Sequence, residues 1–262
     1  MKMRNLVTAL CVAVVVVFSA GISESKDWNK LRVGVEGAYP PFSWMETDGT
    51  LKGFDIDIAL AVCAEMNAEC ELVAQDWDGI IPALLANKYD AIVASMSITE
   101  ERKKKVSFSE KYYSTPAKFV RMKGSGIEIS EAGLKGKTVG VQRATIHENF
   151  LKDNYGDIIE IKGYGTQDEA YLDFNAGRID LLLADSVALD DGFLKTDAGK
   201  NAEFVGPGYS DPKWFGDGAG IAIRKGETDL QMLLNKAISA IRANGTYKTI
   251  NDKYFEFDVY GG

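Results

Sequence analysis

The sequence has few residues of the kinds that bind metal ions or carry out nucleophilic catalysis, with one histidine and three cysteines among 262 residues. His147 has no second histidine and no serine or cysteine nucleophile in a recognisable context beside it. We therefore expect it on a helix surface or at a cleft rim, not as a catalytic base or metal ligand. Two cysteines beyond the N-terminal segment are too few for a zinc site. The sequence predicts neither a cofactor nor a metal.

Positive charge is also scarce. The chain has 30 lysines and arginines against 38 aspartates and glutamates, a formal charge of -8. No basic stripe offsets the excess carboxylates, which argues against nucleic acid and anionic membrane surfaces as partners. The hydrophobic share of 46% and the charged share of 26% are those of a globular protein. A small molecule or a protein is the favoured partner.

A long apolar run stands at the N-terminus. Lys2 and Arg4 precede an apolar stretch from Leu6 to Phe18, and small and polar residues follow from Ser19. The run is too short for a stable membrane-spanning helix and has the layout of a secretory signal peptide. We assign residues 1–25 to that signal peptide, exclude them from the fold and expect the mature protein to be exported.

Export makes Cys63 and Cys70 a natural disulfide pair. On one continuous helix the two residues would lie about 10 Å apart, beyond the reach of a disulfide. The helix must therefore end between them, and Asn67 is able to take the left-handed conformation that such an end requires. The sequence predicts a disulfide between a helix end and the next strand.

Strand and helix patterns alternate along the mature chain, which predicts an α/β fold with parallel sheets. The predicted strands are 31–35, 70–74, 90–93, 118–121, 137–141, 158–163, 179–184 and 218–224. The predicted helices begin at Gly53 and Thr99 or span 80–86, 146–154, 166–175, 187–193, 227–244 and 248–254. Residues 106–116 are interpreted as an irregular passage into a second lobe and 205–212 as the return crossover.

The exit from the strand at 90–93 is the first candidate site. Ser97 and Thr99 are good helix N-caps, and free amides at a helix start receive an anion. Arg102 lies one turn further, where its planar fork would bind a carboxylate or phosphate. The alternative is a plain strand-to-helix junction with a surface arginine, since the lysines at 103–105 follow.

Two later strand ends add candidates in the second lobe. The strand at 137–141 runs into a helix capped by Thr145, whose first amides, near Ile146, would meet the same anion from the opposite side. Asp185 ends the strand at 179–184, where a buried acid needs a partner. It is a candidate for binding a ligand cation, or a cap for the following helix, and one side chain can fill both roles.

Three residues of the first lobe complete the candidate site. Glu36 and Tyr39 follow the first strand, and ligands in open parallel sheets gather at the carboxyl ends of strands. The alternative for them is a surface carboxylate and a packed loop aromatic. Trp77 lies between two aspartates in a loop that we expect to be exposed. It is interpreted as a lid over the site, or else as a residue packed on the next helix.

Taken together, these segments resemble the polar amino acid binding proteins of bacterial ABC importers, solute-binding protein family 3, in the lysine/arginine/ornithine and opine-type branch. The resemblance spans essentially the whole mature chain. It is carried by EGAYPPF at 36–42, GFDID at 53–57, the spacing of Cys63 and Cys70, SMSIT at 95–99 with Arg102, AGRID at 176–180, Tyr247 and KYF at 253–255.

The resemblance implies two α/β lobes joined by two crossing segments, which close by a hinge on the ligand. Lobe 1 would comprise residues 26–114 and 211–262, and lobe 2 residues 117–206. The hinges would lie near 114–118 and 206–211. It further implies a monomeric periplasmic protein, without enzymatic activity, that delivers its ligand to an ABC permease in the inner membrane.

The resemblance also assigns roles around the α-carbon of a bound amino acid. Arg102 would bind the α-carboxylate through two hydrogen bonds, helped by Ser97 and the backbone near Ile146. Asp185 and Ser95 would hold the α-amino group.

For the ligand side chain, Tyr39 and Trp77 would sandwich the stem and Glu36 would bind the distal cation. The sequence departs from the family pattern in three places. Ala94 stands where a serine is common, Glu36 is one methylene longer than the usual aspartate, and Gln142–Ala144 replaces a smaller or apolar run.

These departures make the ligand class firmer than the ligand identity. The leading hypothesis is an importer component for arginine, ornithine or lysine. Histidine is an alternative, as is an opine, whose extra carboxylate Arg143 would recognise. An alternative of another class is an enzyme on the same scaffold that resembles cyclohexadienyl dehydratase.

Overall fold

The computed structural model describes residues 26–261, so the predicted signal peptide at 1–25 lies outside the described residues. The strands are β1 (Lys30–Val35), β2 (Ala38–Tyr39), β3 (Ser43–Met45), β4 (Leu51–Lys52), β5 (Glu69–Ala74), β6 (Ala91–Ile92), β7 (Val106–Tyr113), β8 (Ala117–Met122), β9 (Thr138–Gln142), β10 (Glu160–Tyr164), β11 (Leu181–Asp185), β12 (Ala202–Tyr209) and β13 (Ala219–Arg224).

The helices alternate with these strands. They are α1 (Phe54–Glu65), α2 (Ile80–Leu85), α3 (Glu100–Lys103), α4 (Glu131–Leu134), α5 (Ile146–Tyr155), α6 (Gln167–Asn175), α7 (Ser186–Leu189), α8 (Pro212–Phe215), α9 (Thr228–Ala243) and α10 (Thr246–Tyr254). A 3₁₀ turn at Trp77–Gly79 leads into α2, and a π-helical segment at Asp190–Leu194 continues α7.

Two five-stranded sheets form the two lobes, each flanked by helices. The first has the order β5-β1-β6-β13-β7 and the second the order β10-β9-β11-β8-β12. In each sheet three strands run parallel and two pair antiparallel at one side. The predicted fold class, two α/β lobes with mostly parallel sheets, is confirmed.

The chain passes between the two sheets twice. It leaves the first sheet when β7 ends at Tyr113, and it enters the second at Ala117. It leaves the second sheet at Tyr209 and rejoins the first at Ala219, with α8 between them. The loops at the carboxyl ends of β1, β6, β9 and β11 consequently face the space between the lobes.

The interpretation of residues 106–116 as irregular was wrong for most of that range. Residues 106–113 form β7, which pairs antiparallel with β13 through two irregularities of register. The partner lies more than 100 positions further along the chain, so no local pattern reveals it. The return segment was likewise drawn too long, since Val205–Tyr209 still belongs to β12 and pairs with β8.

Aromatic and branched side chains fill the lobe interiors. In the first lobe, α1, α9 and α10 pack on one face of the sheet, with Phe42, Phe54 and Tyr112 wholly buried among them. Gly53 has no room for a side chain, because a Cβ there would lie 2.2 Å from the Phe42 carbonyl oxygen. This close approach fixes the start of α1 against the loop that follows β2.

The predicted disulfide is present. Cys63 lies near the end of α1 and Cys70 in β5, with their Cα atoms 5.7 Å apart. The helix ends at Glu65, and Asn67 takes the left-handed conformation with a φ of 53°. Within residues 26–261 no helix combines the length and apolar character needed to cross a membrane.

Candidate functional site

A cavity of about 710 Å³, counting the space at its mouth, lies between the two lobes. All of the predicted ligand-contacting residues line it: Glu36, Tyr39, Trp77, Ser95, Ser97, Arg102, Ile146 and Asp185. They come from both sheets and from positions up to 149 apart in the chain, so folding alone brings them together. Their roles toward a ligand stay predictions.

Two similar junctions, one from each lobe, face this cavity. After β6 the chain turns at Ser95 (φ 51°), and after β9 it turns at Ala144 (φ 57°), both in the left-handed region. Thr99 and Thr145 then cap α3 and α5 by accepting the Arg102 and Glu148 amides. Positive φ at non-glycine residues is uncommon and often marks functional sites.

The Arg102 guanidinium is buried beside the cavity. Its Nη1 donates to the Ser97 carbonyl oxygen at 3.1 Å, and its Cζ lies 5.1 Å from the centre of the Trp77 ring. Burial lowers the pKa of Arg102 to about 10, so the group remains charged at neutral pH. Within residues 26–261 no carboxylate pairs with it. A cation held by neutral partners is a strong site for an incoming anion.

Asp185 caps a helix and also lines the cavity, while its role toward a ligand cation stays a prediction. Its Oδ1 accepts the Val187 amide at 2.8 Å and the Ala188 amide at 3.4 Å, which caps α7. Its Oδ2 accepts the Thr115 hydroxyl, and the carboxylate lines the cavity. Burial raises the pKa of Asp185 to about 6. A cation in the cavity would favour the ionised form.

Glu36 meets the second lobe through Gln142. The carboxylate of Glu36 is 8% exposed and accepts Gln142 Nε2 at 2.6 Å. The same amide nitrogen donates to the Gly165 carbonyl at 3.1 Å, so both of its hydrogens are engaged. Burial, reinforced by nearby carboxylates, raises the pKa of Glu36 to about 7. The alternative of a surface carboxylate is excluded for Glu36 by this burial.

The expectation of an exposed Trp77 was wrong. Trp77 is 8% exposed, and its Nε1 donates to the Ala144 carbonyl of the other lobe at 3.1 Å. The flanking residues Asp76 and Asp78 remain exposed, so the ring is buried without burying either acid. Trp77 thus lines the cavity and joins the two lobes, and it also packs in one cluster with Ile80 of α2, as the alternative interpretation expected. Its role as a lid stays a prediction.

Two further interpretations, for Ser97 and Arg143, need adjustment, while the one for His147 does not. Ser97 does not cap a helix; it forms an isolated bridge with Ala219. Arg143 lies outside the cavity lining and pairs with Asp78 of the other lobe. His147 is at the cavity, as the cleft-rim prediction allowed, with its ring 6.1 Å from that of Phe215. Burial, with a further contribution from the Arg102 charge, lowers the pKa of His147 to about 3.

Some lining residues were missed from the sequence, among them Tyr113, Thr115, Gln142 and Phe215. Gln142 ends β9 shortly before the capped helix. The expectation that ligands gather at the carboxyl ends of strands, which identified Glu36 and Asp185, would also have identified Gln142. Thr115 and Phe215 lie in the two passages between the lobes, where no strand end or cap marks them. No group of three potential metal ligands occurs among residues 26–261.

Comparisons with known proteins agree with this geometry. The family model of bacterial extracellular solute-binding proteins, family 3, matches residues 31–257. An L-arginine-binding protein of Pseudomonas aeruginosa is 52% identical over 232 residues, covering 88% of this chain and 90% of that protein. The lysine/arginine/ornithine-binding periplasmic protein of Escherichia coli is 40% identical over 232 residues, covering 88% of this chain and 89% of the other.

A solved structure gives the same result for the fold. It is that of a periplasmic binding protein of Salmonella typhimurium whose study concerns high arginine specificity. The TM-score is 0.79 at 34% sequence identity, and the match covers 87% of this chain and 99% of the other.

Proposed function

Because this chain belongs to the bacterial extracellular solute-binding proteins of family 3, we propose that it is the periplasmic component of an ABC importer and captures a cationic L-amino acid. Arginine is the preferred ligand, ahead of ornithine and lysine. One observation carries the proposal: a single cavity contains the unpaired cation of Arg102 and the buried carboxyl groups of Glu36 and Asp185.

The charges of the cavity match those of a cationic amino acid. Such a ligand brings one carboxylate and two cations, and the cavity offers one guanidinium and two carboxyl groups. Arg102 binds the α-carboxylate, with Ser97 and the first amides of α5 beside it. Asp185 and Ser95 hold the α-ammonium, and Glu36 holds the side-chain cation. Tyr39 and Trp77 cover the aliphatic stem.

Gln142 favours a guanidinium over an ammonium at the side-chain end. Its two N–H bonds are engaged by Glu36 and Gly165, so its carbonyl oxygen remains to accept from a ligand. A guanidinium has five donors in a plane and can serve the Glu36 carboxylate and this oxygen together. A compact ammonium fills such a pair of acceptors less well. This arrangement supports arginine as the preferred ligand, as does the similarity to an L-arginine-binding protein.

We place the working motion at the two passages between the sheets. Lobe 1 then comprises residues 26–114 and 211–262, lobe 2 comprises 117–206, and the hinges lie near 114–118 and 206–211. Contacts between lobes, such as Trp77 to Ala144 and Glu36 to Gln142, form only when the lobes approach. The loaded, closed monomer docks on a permease in the inner membrane after residues 1–25 have directed export.

The other hypotheses fit the cavity less well. An opine would need a second cation, and Arg143 pairs with Asp78 outside the lining. A dehydratase acting on prephenate would bind a dianion without a cation, which Glu36 and Asp185 would repel. Histidine offers a smaller side chain that reaches fewer of the acceptors at Glu36 and Gln142. We therefore propose a binding protein without enzymatic activity.

A thermal-shift panel of the twenty amino acids, ornithine and octopine tests the proposal. A ligand at 100 times its Kd adds about 2.7 kcal/mol of stability, which raises Tm by roughly 5 to 10 °C. Arginine should give the largest shift, followed by ornithine and lysine. In Arg102→Ala every amino acid should lose its shift, because the shared α-carboxylate has lost its partner. No shift with any member of the panel would refute the proposed function.

A further inference from the structure

Asp55 is a fully buried carboxyl group that is not among the proposed ligand contacts. It is the second residue of α1, has no measurable exposure and does not line the cavity. Burial raises the pKa of Asp55 to about 7 although two hydrogen bonds stabilise its ionised form. An unpaired buried acid is costly, so its two partners are informative.

The two partners are Ser95, which lines the cavity, and Tyr112, which is itself hydrogen-bonded to Ser95. Ser95 Oγ donates to Asp55 Oδ2 at 2.9 Å. The Tyr112 hydroxyl donates to Asp55 Oδ1 at 2.8 Å and accepts the Ser95 amide at 3.1 Å. Asp55 thus binds the Ser95 side chain directly and its backbone through one tyrosine. Ser95, which is held in this way, has the left-handed conformation described above.

This network determines whether the Ser95 hydroxyl donates or accepts a hydrogen bond in the cavity. A hydroxyl has one hydrogen and two lone pairs. Because the hydrogen is given to Asp55, only lone pairs are left to face the cavity. The Ser95 hydroxyl oxygen therefore acts as a hydrogen-bond acceptor toward the cavity. It can bind a donor such as an ammonium group, but not a ligand group that only accepts, such as a carboxylate.

The Asp55 oxygens are not used to cap the helix that carries them. The start of α1 has no side-chain cap, and Asp55 in its first turn does not supply one, since its oxygens are bound to Ser95 and Tyr112. The helix dipole still favours its negative charge. The neighbouring acid Asp57 shows the contrast, because it binds Lys253 and Tyr254 at the surface.

We propose that Asp55 is a positioning residue that fixes the Ser95 hydroxyl as an acceptor, so that the site demands an ammonium group on the ligand α-carbon. The inference rests on the proposed function, which places the α-ammonium at Ser95. It extends that function by naming a residue outside the cavity that enforces the amino acid class. An analogue that lacks the ammonium has no donor for the Ser95 oxygen, which stays without a hydrogen bond, so the analogue binds weakly.

Titration calorimetry with L-arginine on a double-mutant cycle tests the inference. Asp55→Asn lets the new amide donate to Ser95 Oγ, which releases the hydroxyl hydrogen toward the ligand. We expect arginine affinity to fall roughly 10- to 100-fold, the effect of one hydrogen bond to a charged group. Ser95→Ala should cost a similar factor. The double variant should match Ser95→Ala within about 2-fold, because Asp55 acts only through Ser95.

Two comparisons separate positioning from general destabilisation. Asp57→Asn makes the same chemical change two residues away in α1 and should leave arginine affinity unaltered. The des-amino analogue 5-guanidinopentanoic acid should bind Asp55→Asn within about 3-fold of the wild type, since it lacks the group in question. A damaged fold would weaken arginine and the analogue alike.

The outcomes are distinguishable. If arginine binds Asp55→Asn as it binds the wild type, or if the losses in the double variant multiply, the inference is overturned. If Asp55→Asn does not fold, Ser95→Ala decides, and undiminished arginine affinity there overturns the inference as well. If the wild type binds no cationic amino acid, the proposed function itself has failed.

Discussion

At the scale of single residues, the proposed function assigns the choice of ligand to Glu36 and Gln142. They come from different lobes, and Gln142 Nε2 lies 2.6 Å from the Glu36 carboxylate. Because a carboxylate attracts any cation whereas an amide oxygen adds a second, directional acceptor, the two residues should control different discriminations. We expect Glu36 to separate cationic from neutral ligands, and Gln142 to separate arginine from lysine.

Substituting these two residues separately tests that division. Glu36→Gln should lower the affinity for arginine and lysine alike by about 10-fold or more, the value of a charge-assisted hydrogen bond. Its effect on a neutral amino acid should be small. Gln142→Leu should weaken arginine more than lysine. Calorimetry with arginine, lysine and glutamine measures all three, and an equal loss for every ligand in both variants would contradict the division.

The sequence identified the cavity-lining residues that stand beside a recognisable local signal. Ser95 and Arg102 flank a capped helix start, and Asp185 ends an apolar strand. Phe215 and Thr115 have no such signal, because only the packing of the two passages between lobes brings them to the cavity. The local sequence also could not show that the Ser95 hydroxyl donates its hydrogen away from the cavity, since its partner Asp55 lies 40 positions away.

At the scale of elements, the disulfide ties the end of α1 to β5, the edge strand of the first sheet. Neither cysteine lines the cavity, so the bond bears on stability and not on the ligand. Helix end and strand were predictable together because a disulfide has a narrow range of Cα distances. Strand β7 was not, since its pairing with β13 depends on residues over 100 positions away.

Removing the disulfide should therefore destabilise the protein without changing affinity. Closing a loop of about eight residues stabilises by roughly 2.5 kcal/mol on the chain-entropy model. The double variant Cys63→Ala/Cys70→Ala should lose about that free energy in denaturant unfolding and bind arginine with an unchanged Kd. A tenfold loss of affinity would show that the bond also shapes the cavity.

At the scale of the whole molecule, three buried acids near the interlobe space have pKa values raised by burial: Glu36 to about 7, Asp55 to about 7 and Asp185 to about 6. In the unfolded chain such acids titrate near pH 4. Between pH 4 and 7 the folded, ligand-free protein holds more protons than the unfolded chain. These three groups therefore raise the free energy of unfolding as the pH falls, and that contribution is lost as the pH rises.

Stability and affinity should consequently change in opposite directions with pH. His147, with its pKa lowered to about 3, opposes the acids because the unfolded chain gains a proton below pH 6.5. Three acids outweigh one histidine, so the ligand-free Tm should rise on the order of 5 °C from pH 7.5 to 5.5. Arginine affinity should fall over the same range, because the cation requires ionised acids. Calorimetric scans and titrations at both pH values measure this, and a parallel change would contradict it.

The placement of Arg102, Asp185 and Glu36 on α3, β11 and the end of β1 has a consequence for handedness. On the proposed contacts, these groups would approach a bound amino acid from three fixed directions, toward its carboxylate, its ammonium and its side chain. Three different substituents around one tetrahedral carbon can meet three fixed partners in only one of two mirror-image arrangements. The rigid elements that hold the partners would then make the cavity a chiral template. We expect it to reject a D-amino acid, although that ligand offers every group of its L counterpart.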